Sequence, residues 1–319
     1  MNYQETFRAL AAVTAPSGFE SPILDVIEEL CRPHDVEMRR DALGNLIVHR
    51  PGAGRRVMLI THADTFGMIV TFRDEKGFFR FGLLGKAEPS WLIGLPVRFT
   101  NGARGVVGCE GGVEPAKLAL RHLYIDVTVG DVRVGDACAP ALITSADENR
   151  FVSPALDGRA GCLAALDVLS RAKGTDADLT IVFSVQHAVG ERGAAAAAFS
   201  AEPEIALSLE LTSAGDTPES RVRSGIRLGG GPALVIRADG APSNMALLES
   251  LEAKAEFPVQ RTVDPDGQFA LDPLSSVRAG IVSCGIGIPA RRYGLMAAAS
   301  PADMRQAADL VLAALATRA

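Results

Sequence analysis

The chain has 319 residues, of which 48% are hydrophobic and 22% are charged, and its formal net charge is −6 at pH 7. This composition is typical of a globular protein with a sizeable core, and the length suggests about two domains. The negative charge and the dispersed lysine and arginine residues exclude the basic surface that attracts nucleic acids or anionic membranes.

Targeting and membrane segments are not visible in the sequence. No run approaches the ~20 apolar residues of a membrane-spanning helix, and the first residues lack the basic start and apolar middle of a signal peptide. The five cysteines are far apart, without a Cys-x-x-Cys pair, which favours reduced, structural thiols. We therefore expect a cytoplasmic protein.

The first part of the chain alternates helices and strands. The sequence predicts helices over 3–13 and from Ser21, and strands over 36–40, 45–50 and 57–61. The second helix start rests on Ser21-Pro22, a capping residue followed by proline at the first helical position. The last strand is fully apolar, as in the centre of a parallel sheet, and it leads directly to His62 and Asp64.

Residues 67–150 have a different pattern, with short strands separated by glycine-containing turns. Such a pattern predicts a small β-barrel rather than β-α-β units. We therefore expect an inserted β-barrel domain over 67–150. Trp91, the single tryptophan, lies inside it and is interpreted as a packing residue.

The α/β pattern resumes after the insertion. The predicted elements are helix 158–172, strand 179–186, a helix from about 193, strands 204–209 and 233–237, helix 243–256, strand 257–262, a short helix near 274–279, strand 281–286 and helix 302–316. Helices alternating with apolar strands predict a doubly wound, largely parallel but mixed sheet. The catalytic domain is expected to comprise 1–66 plus 151–319.

Polar, ligand-capable residues follow three of the apolar runs. His62, His187 and Glu210 each come directly after one. Because sites in open α/β sheets are built at strand ends, these side chains are expected to converge near Asp157, at the start of a helix. Asp157 has a simpler interpretation as the N-cap of that helix.

Two short patterns have local interpretations. In His62-x-Asp64 the imidazole can bind a metal while the Asp64 carboxylate holds the other ring N–H. Gly229-Gly-Gly231 lacks the Lys-Ser/Thr of a phosphate-binding loop, so a tight turn is the better interpretation.

Together, several segments resemble the M42 family of dinuclear-metal aminopeptidases in order and spacing. They are Ala15-Pro-Ser-Gly-Phe-Glu20, Asp41-Ala-Leu-Gly-Asn45, Thr61-His-Ala-Asp-Thr-Phe-Gly67, Ala155-Leu-Asp-Gly-Arg159, Gly190-Glu-Arg-Gly-Ala194, Gly229-Gly-Gly-Pro232 and Pro289-Ala-Arg-Arg-Tyr293. The resemblance implies a zinc-peptidase-like α/β domain interrupted by a β-barrel. It also implies a homo-oligomer, since members of the family assemble into hollow particles that are often tetrahedral dodecamers.

The resemblance implies a first metal held by His62, Asp157 and Glu210. Donors for a second metal are missing, because the corresponding positions are Ala188 and Leu295. We therefore expect at most one divalent ion per chain. One imidazole and two carboxylates suit Zn²⁺, Mn²⁺ or Co²⁺, so the identity of the metal stays open.

His187 stands where the family has its general-base glutamate. It could be a general base, a replacement metal ligand or a hydrogen-bonded pocket residue. The resulting hypothesis is a metal-dependent, aminopeptidase-like hydrolase of peptides or a related amide, with His187 and Asp64 in catalytic roles. The competing hypothesis is a catalytically retired homologue that binds a small ligand or serves as an assembly subunit.

Overall fold

A computed structural model describes residues 1–218, 225–238 and 240–316. Its α-helices are α1 (Tyr3–Ala11), α2 (Ser21–Cys31), α3 (Pro89–Leu92), α4 (Leu156–Arg171), α5 (Arg192–Ala201), α6 (Met245–Lys254), α7 (Leu271–Ser276) and α8 (Pro301–Leu315). Short 3-10 turns occur at Pro115–Lys117 and Leu120–His122. No helix in these three ranges is both long enough and apolar enough to cross a membrane.

The strands are β1 (Glu37–Arg40), β2 (Leu46–Arg50), β3 (Arg56–His62), β4 (Gly67–Arg73), β5 (Phe79–Leu84), β6 (Pro96–Phe99), β7 (Arg104–Cys109), β8 (Leu123–Val129), β9 (Ala137–Pro140), β10 (Ser145–Ala146), β11 (Phe151–Ser153), β12 (Asp178–Ser184), β13 (Ile205–Ser213), β14 (Ala233–Ala238), β15 (Ala241–Pro242), β16 (Gln260–Asp264), β17 (Val282–Tyr293) and β18 (Met296–Ala299).

A large mixed sheet forms the centre of the molecule. Its main path runs β1-β2-β12-β3-β13-β17-β18-β11-β10, and β14 branches from β17 to pair with β15 and β16. The central strands β12, β3, β13 and β17 are parallel to one another, whereas β2 and β18 flank them antiparallel. The expected α/β fold with a mixed sheet is confirmed.

The expected barrel is also present. Strands β4-β5-β8-β7-β6-β9 close on themselves around a core of their own that includes Met68, Phe99 and Ile125. Closure pairs the strand edges that an open sheet would leave exposed. Leu295, which lies between β17 and β18 of the large sheet, packs against this core.

Helix α4 is buried along most of its length against the sheet. Two glycines allow this close approach, because a Cβ atom at Gly158 would overlap the main-chain oxygen of Asp64, and one at Gly161 would overlap the Thr61 hydroxyl. The first turn of α4 therefore lies directly on the end of β3. This contact places Asp157 beside His62, at the carboxyl end of the central strand β3.

Two helix starts differ from the predictions. The N-cap of α4 is Ala155, and Asp157 lies in the first turn without capping the helix, because its carboxylate faces Arg292. The N-cap of α2 is Glu20 rather than Ser21. The Glu20 side chain does not cap α2 either, since it accepts hydrogen bonds from the main-chain N–H groups of Gly18 and Gln186.

The turn interpretation of Gly229-Gly-Gly231 agrees with the structure. Gly229 and Gly231 have φ angles of +76° and +89°, and their N–H groups donate to the buried carboxylate of Asp303 at 2.8 and 3.0 Å. This internal carboxylate takes the position that a phosphate would have in a phosphate-binding loop.

Arg159 is a fully buried arginine that joins α4 to the segment after α1. Its guanidinium donates to the carbonyl oxygens of Leu10 at 3.0 Å and Val13 at 3.2 Å, and to that of Ala63. Ala63 directly follows β3. One side chain thus ties together three segments that surround the end of β3.

We expect Arg159→Met to lower the free energy of unfolding by about 2 kcal/mol or more. The Leu10 oxygen keeps the N–H of Val13, but the oxygens of Ala63 and Val13 lose the guanidinium donor, and each buried acceptor left without a donor costs roughly 1–3 kcal/mol. Arg171→Ala is a suitable control, because it removes a partly exposed arginine paired with Asp309 and should cost about 1 kcal/mol or less. Urea denaturation measures both. Equal effects of the two substitutions would contradict the role of Arg159.

Candidate metal centre

His62 and Glu210 meet where two neighbouring parallel strands stop pairing. The ladder between β3 and β13 runs as far as Ile60 and Ser208, and the Glu210 side chain bridges the strands beyond it. One Glu210 oxygen accepts the main-chain N–H of His62 at 3.2 Å, and the other lies 2.6 Å from Nδ1 of the His62 ring. Glu210 therefore fixes both the main chain and the ring of His62.

His187 lies against the other side of this pair. Its ring stacks on that of His62, with centroids 4.0 Å apart and an interplanar angle of 4°. One donor atom from each of His62, His187 and Glu210 lies within 4.8 Å of the others. All three residues are buried, and Nε2 of His187 has no hydrogen-bond partner. Two imidazoles and a carboxylate with donor atoms this close together are a donor set that suits a divalent cation.

Asp157 lies on the same cavity but outside this close group. Its two carboxylate oxygens each lie 3.4 Å from a guanidinium nitrogen of Arg292, and both side chains are 43% exposed. Of the three metal ligands predicted from the sequence, the structure thus brings His62 and Glu210 together and pairs Asp157 with an arginine.

Asp64 has a different role from the one expected for it. Its carboxylate is fully buried and accepts the main-chain N–H groups of His187 at 3.1 Å and Ala188 at 2.8 Å. Glu210, not Asp64, contacts Nδ1 of the His62 ring. Asp64 therefore positions the His187 segment at the wall of the cavity.

The segment that carries His187 is held by side chains from distant parts of the chain. The N–H of Val185 donates to Asn45 at 2.9 Å, and that of Gln186 donates to Glu20 at 2.8 Å. Gln186 has a φ angle of +56°, a left-handed conformation that costs free energy for a non-glycine residue and needs such support. Together with Asp64, these anchors come from three of the segments on which the family resemblance rests.

The charges at the site shift the pKa values of its side chains. Burial alone would lower the pKa of His62, but the Glu210 carboxylate outweighs it and raises that pKa to about 9. Burial raises the pKa of Glu210 to about 7. Burial, together with the neighbouring His62, lowers the pKa of His187 to about 3. Desolvation would raise the pKa of Asp157, but Arg292 and His62 bring it down to about 2.

The site opens into a cavity of about 540 Å³ between the sheet and the barrel. Sequence reasoning missed several residues of its wall, including Lys86, Gln268 and Arg292. Trp91, interpreted above as a packing residue, also lines the cavity and is 48% exposed. Its ring lies beside Gly294. The one available signal was that Arg292 belongs to a segment shared with the M42 family.

We expect the free energy of unfolding of the metal-free protein to fall as the pH rises from about 6.5 to about 9. A pKa of His62 that is higher in the folded state means that folding retains a proton which the unfolded chain loses in this range. The stabilisation is full below pH 6.5 and disappears as the pH passes 9. The raised pKa of Glu210 also makes the folded state retain a proton, so it too lowers the free energy of unfolding as the pH rises to about 7. The lowered pKa values of Asp157 and His187 affect stability at lower pH than this.

Urea denaturation in the presence of a chelator, repeated across this pH range, measures the slope. His62→Gln removes the imidazole that takes up the proton, so the free energy of unfolding should change less with pH in this variant. A slope that is the same in the wild type and in His62→Gln would contradict the assignment.

Sequence and structure comparisons identify related proteins. A sequence profile of the family described as M42 glutamyl aminopeptidase matches residues 44–310. A relative from Acetivibrio thermocellus that carries an aminopeptidase name is 33% identical over a 330-residue alignment, which covers 98% of both chains.

Solved structures agree with this match. An aminopeptidase of the archaeon Desulfurococcus kamchatkensis superimposes with a TM-score of 0.92 at 28% identity, covering 98% of this chain and 94% of that one. The TET1 peptidase of Pyrococcus horikoshii, which can assemble into a tetrahedron or a large octahedral shell, shares the fold with a TM-score of 0.88 at 20% identity, over 98% of this chain and 99% of its own. On the extent of the profile match and the near full-length relative, the chain belongs to the M42 glutamyl aminopeptidase family.

Proposed function

We propose that this protein is a metal-dependent, aminopeptidase-like hydrolase that acts on peptides or a related amide and uses at most one divalent ion. The observation that carries the proposal is the group formed by His62, His187 and Glu210. It lies at the carboxyl ends of central parallel strands, where the resemblance places the first metal, and both histidines line the cavity of about 540 Å³.

The limit of one ion rests on the donors themselves. Among the described residues, His62, His187 and Glu210 form the only group of three or more histidine, cysteine, aspartate or glutamate side chains whose donor atoms all lie within 4.8 Å of one another. Ala188 and Leu295 have no donor atoms at the positions where the family holds its second metal. The Leu295 side chain instead packs against the barrel core.

A divalent ion bound here would polarise a substrate carbonyl and lower the pKa of a bound water. The protein's own residues divide the remaining tasks. Glu210 orients the His62 ring, and Asp64 fixes the segment that carries His187. Trp91 and Leu295 provide apolar cavity wall, while Arg292 offers a partly exposed positive charge to an anionic group of the substrate.

His187 is a poor candidate for the general base among its three possible roles. A base must reach the proton that it removes and needs a pKa near the working pH. Nε2 of His187 is closed off from solvent, and the pKa of His187 is lowered to about 3 by burial and by His62. Asp157 fails the same criterion, because Arg292 and His62 lower its pKa to about 2. Asp266 is the other carboxylate of the cavity lining with a solvent-accessible side chain, so the proton acceptor is sought there.

The pairing of Asp157 with Arg292 also supports the second candidate function. A homologue that no longer catalyses hydrolysis could keep this ion pair and bind a small ligand in the cavity or serve as an assembly subunit. It would tolerate the loss of donors at Ala188 and Leu295.

We expect hydrolysis of aminoacyl anilides or short peptides when Zn²⁺, Mn²⁺ or Co²⁺ is added to the dialysed protein, with at most one ion bound per chain by elemental analysis. His62→Ala should reduce turnover by at least about 100-fold, because it removes a donor at the centre of the site. His49→Ala is the matched control, since His49 pairs with Asp178 outside the cavity lining. Turnover absent across a broad panel would support the retired homologue, and two tightly bound ions would refute the single-site proposal.

A homo-oligomer is the expected assembly. The family resemblance supports it, as do apolar side chains exposed on the barrel, among them Phe72, Val129 and Val134, each more than half exposed. Light scattering at micromolar concentration should give a mass several times that of one chain, because oligomers bury such surfaces. A monomer would contradict this expectation.

A further inference from the structure

We propose that His187, and not Asp157, is the third protein ligand of the ion, which is therefore held by His62, His187 and Glu210 and is preferentially Zn²⁺. The inference gives a ligand set to the single-ion site of the proposed function. It concerns binding alone, so it holds or fails independently of any catalytic turnover.

The first argument is the unsatisfied state of His187. The residue is 3% exposed, and its Nε2 is a buried nitrogen without a hydrogen-bond partner. Buried polar atoms without partners are uncommon because desolvation is then uncompensated. The nearest set of suitable partners is the pair His62 and Glu210, since one donor atom of each residue lies within 4.8 Å of a donor atom of His187.

The second argument is that His187 is held in place by its main chain. Its N–H donates to Asp64, and the preceding N–H donates to Glu20. The ring is further fixed by stacking on His62 at 4.0 Å. A side chain that is positioned without using its own ring nitrogens leaves them available to an ion. Because imidazole nitrogens bind a metal in the plane of the ring, the parallel His187 ring has to turn relative to His62 when both bind the same ion.

The third argument concerns Asp157. Each of its oxygens faces a guanidinium nitrogen of Arg292 at 3.4 Å, and no oxygen of Asp157 joins the group of donors within 4.8 Å of one another. To bind the ion, Asp157 would have to leave Arg292. The positive charge of Arg292 thus opposes movement of Asp157 towards the other donor atoms, whereas an oxygen of Glu210 already lies 2.6 Å from a ring nitrogen of His62.

The ligand types determine which ion is favoured. Two imidazoles and one carboxylate form a set found in catalytic zinc sites, where a fourth position stays open. A set with one imidazole and two carboxylates has more oxygen donors, which are hard ligands, and would bind Mn²⁺ better than the nitrogen-rich set does. Exchanging Asp157 for His187 therefore shifts the preference towards Zn²⁺.

The test measures Zn²⁺ affinity of the chelator-treated full-length protein by competition with a chromophoric chelator. The wild type should bind one Zn²⁺ per chain. His187→Gln should weaken binding by more than about 100-fold, since losing an outer-shell partner alone costs roughly 10- to 100-fold. Asp157→Asn should weaken it by less than about 10-fold, which is below the cost of losing even an outer-shell partner. His49→Gln, a histidine paired with Asp178, controls for adventitious binding and should match the wild type.

A second comparison uses the ratio of Zn²⁺ to Mn²⁺ affinity. His187→Glu keeps a donor at this position but replaces nitrogen with oxygen, so the ratio should fall. Arg292→Gln releases Asp157 and should raise Mn²⁺ affinity. Melting temperatures of the metal-free variants verify that each is folded, and the ratio in His187→Glu gives a result even where His187→Gln is unstable.

The proposal is overturned if the wild type binds no Zn²⁺, if Asp157→Asn loses binding while His187→Gln retains it, or if the affinity ratio is unchanged in folded His187→Glu. Zn²⁺ binding that depends on His187 without any peptide hydrolysis would support this ligand set and count against the hydrolase function. Hydrolysis that survives in His187→Gln with unchanged Zn²⁺ affinity would do the reverse.

Discussion

The candidate site depends on the register of three neighbouring parallel strands. Ser184 at the end of β12 lies opposite His62 at the end of β3, while β3 and β13 stop pairing two residues before His62 and Glu210. The opening between these two strands is filled by the Glu210 carboxylate, and His187 returns over the His62 ring from the other side. Residues separated by 148 positions in the sequence thus come within hydrogen-bonding distance, because parallel strands end at the same edge of a sheet.

Much of this arrangement could be predicted because it follows from local patterns. The apolar runs before His62, His187 and Glu210 identified central strands, and the glycine-rich short strands identified the barrel. The pairing of Asp157 with Arg292 could not be foreseen, because Arg292 arrives from β17, 135 positions later. The same applies to Asp64, since His-x-Asp spacing does not specify whether the carboxylate turns towards the ring or towards the main chain of the loop after β12. The interpretation of Asp157 as an N-cap was wrong for the same reason, because its carboxylate pairs with Arg292 and not with the N–H groups of its own helix.

The cavity shows what surrounds Leu295, where the family resemblance implies a donor to a second metal. At Leu295 an apolar side chain packs on the barrel, and Trp91 extends from the barrel into the cavity wall beside Gly294. The large sheet and the barrel therefore meet through apolar contacts at this point. The remaining charges, Lys86 and Arg292 against Asp157 and Asp266, line the same cavity. These charges of opposite sign give the pocket a mixed polarity.

The His187 segment is anchored through its main-chain N–H groups, so its conformation does not depend on its side chains. Glu20, Asn45 and Asp64 bind the N–H groups of residues 185–188, so the loop keeps its course whichever side chains stand at 187 and 188. Mutations at these two positions can exchange one donor for another, or remove it, at little cost to folding. Mutations at the three anchors would instead disturb the loop itself. In evolution, the side chains at positions 187 and 188 can therefore change, while selection for stability acts on the three anchors.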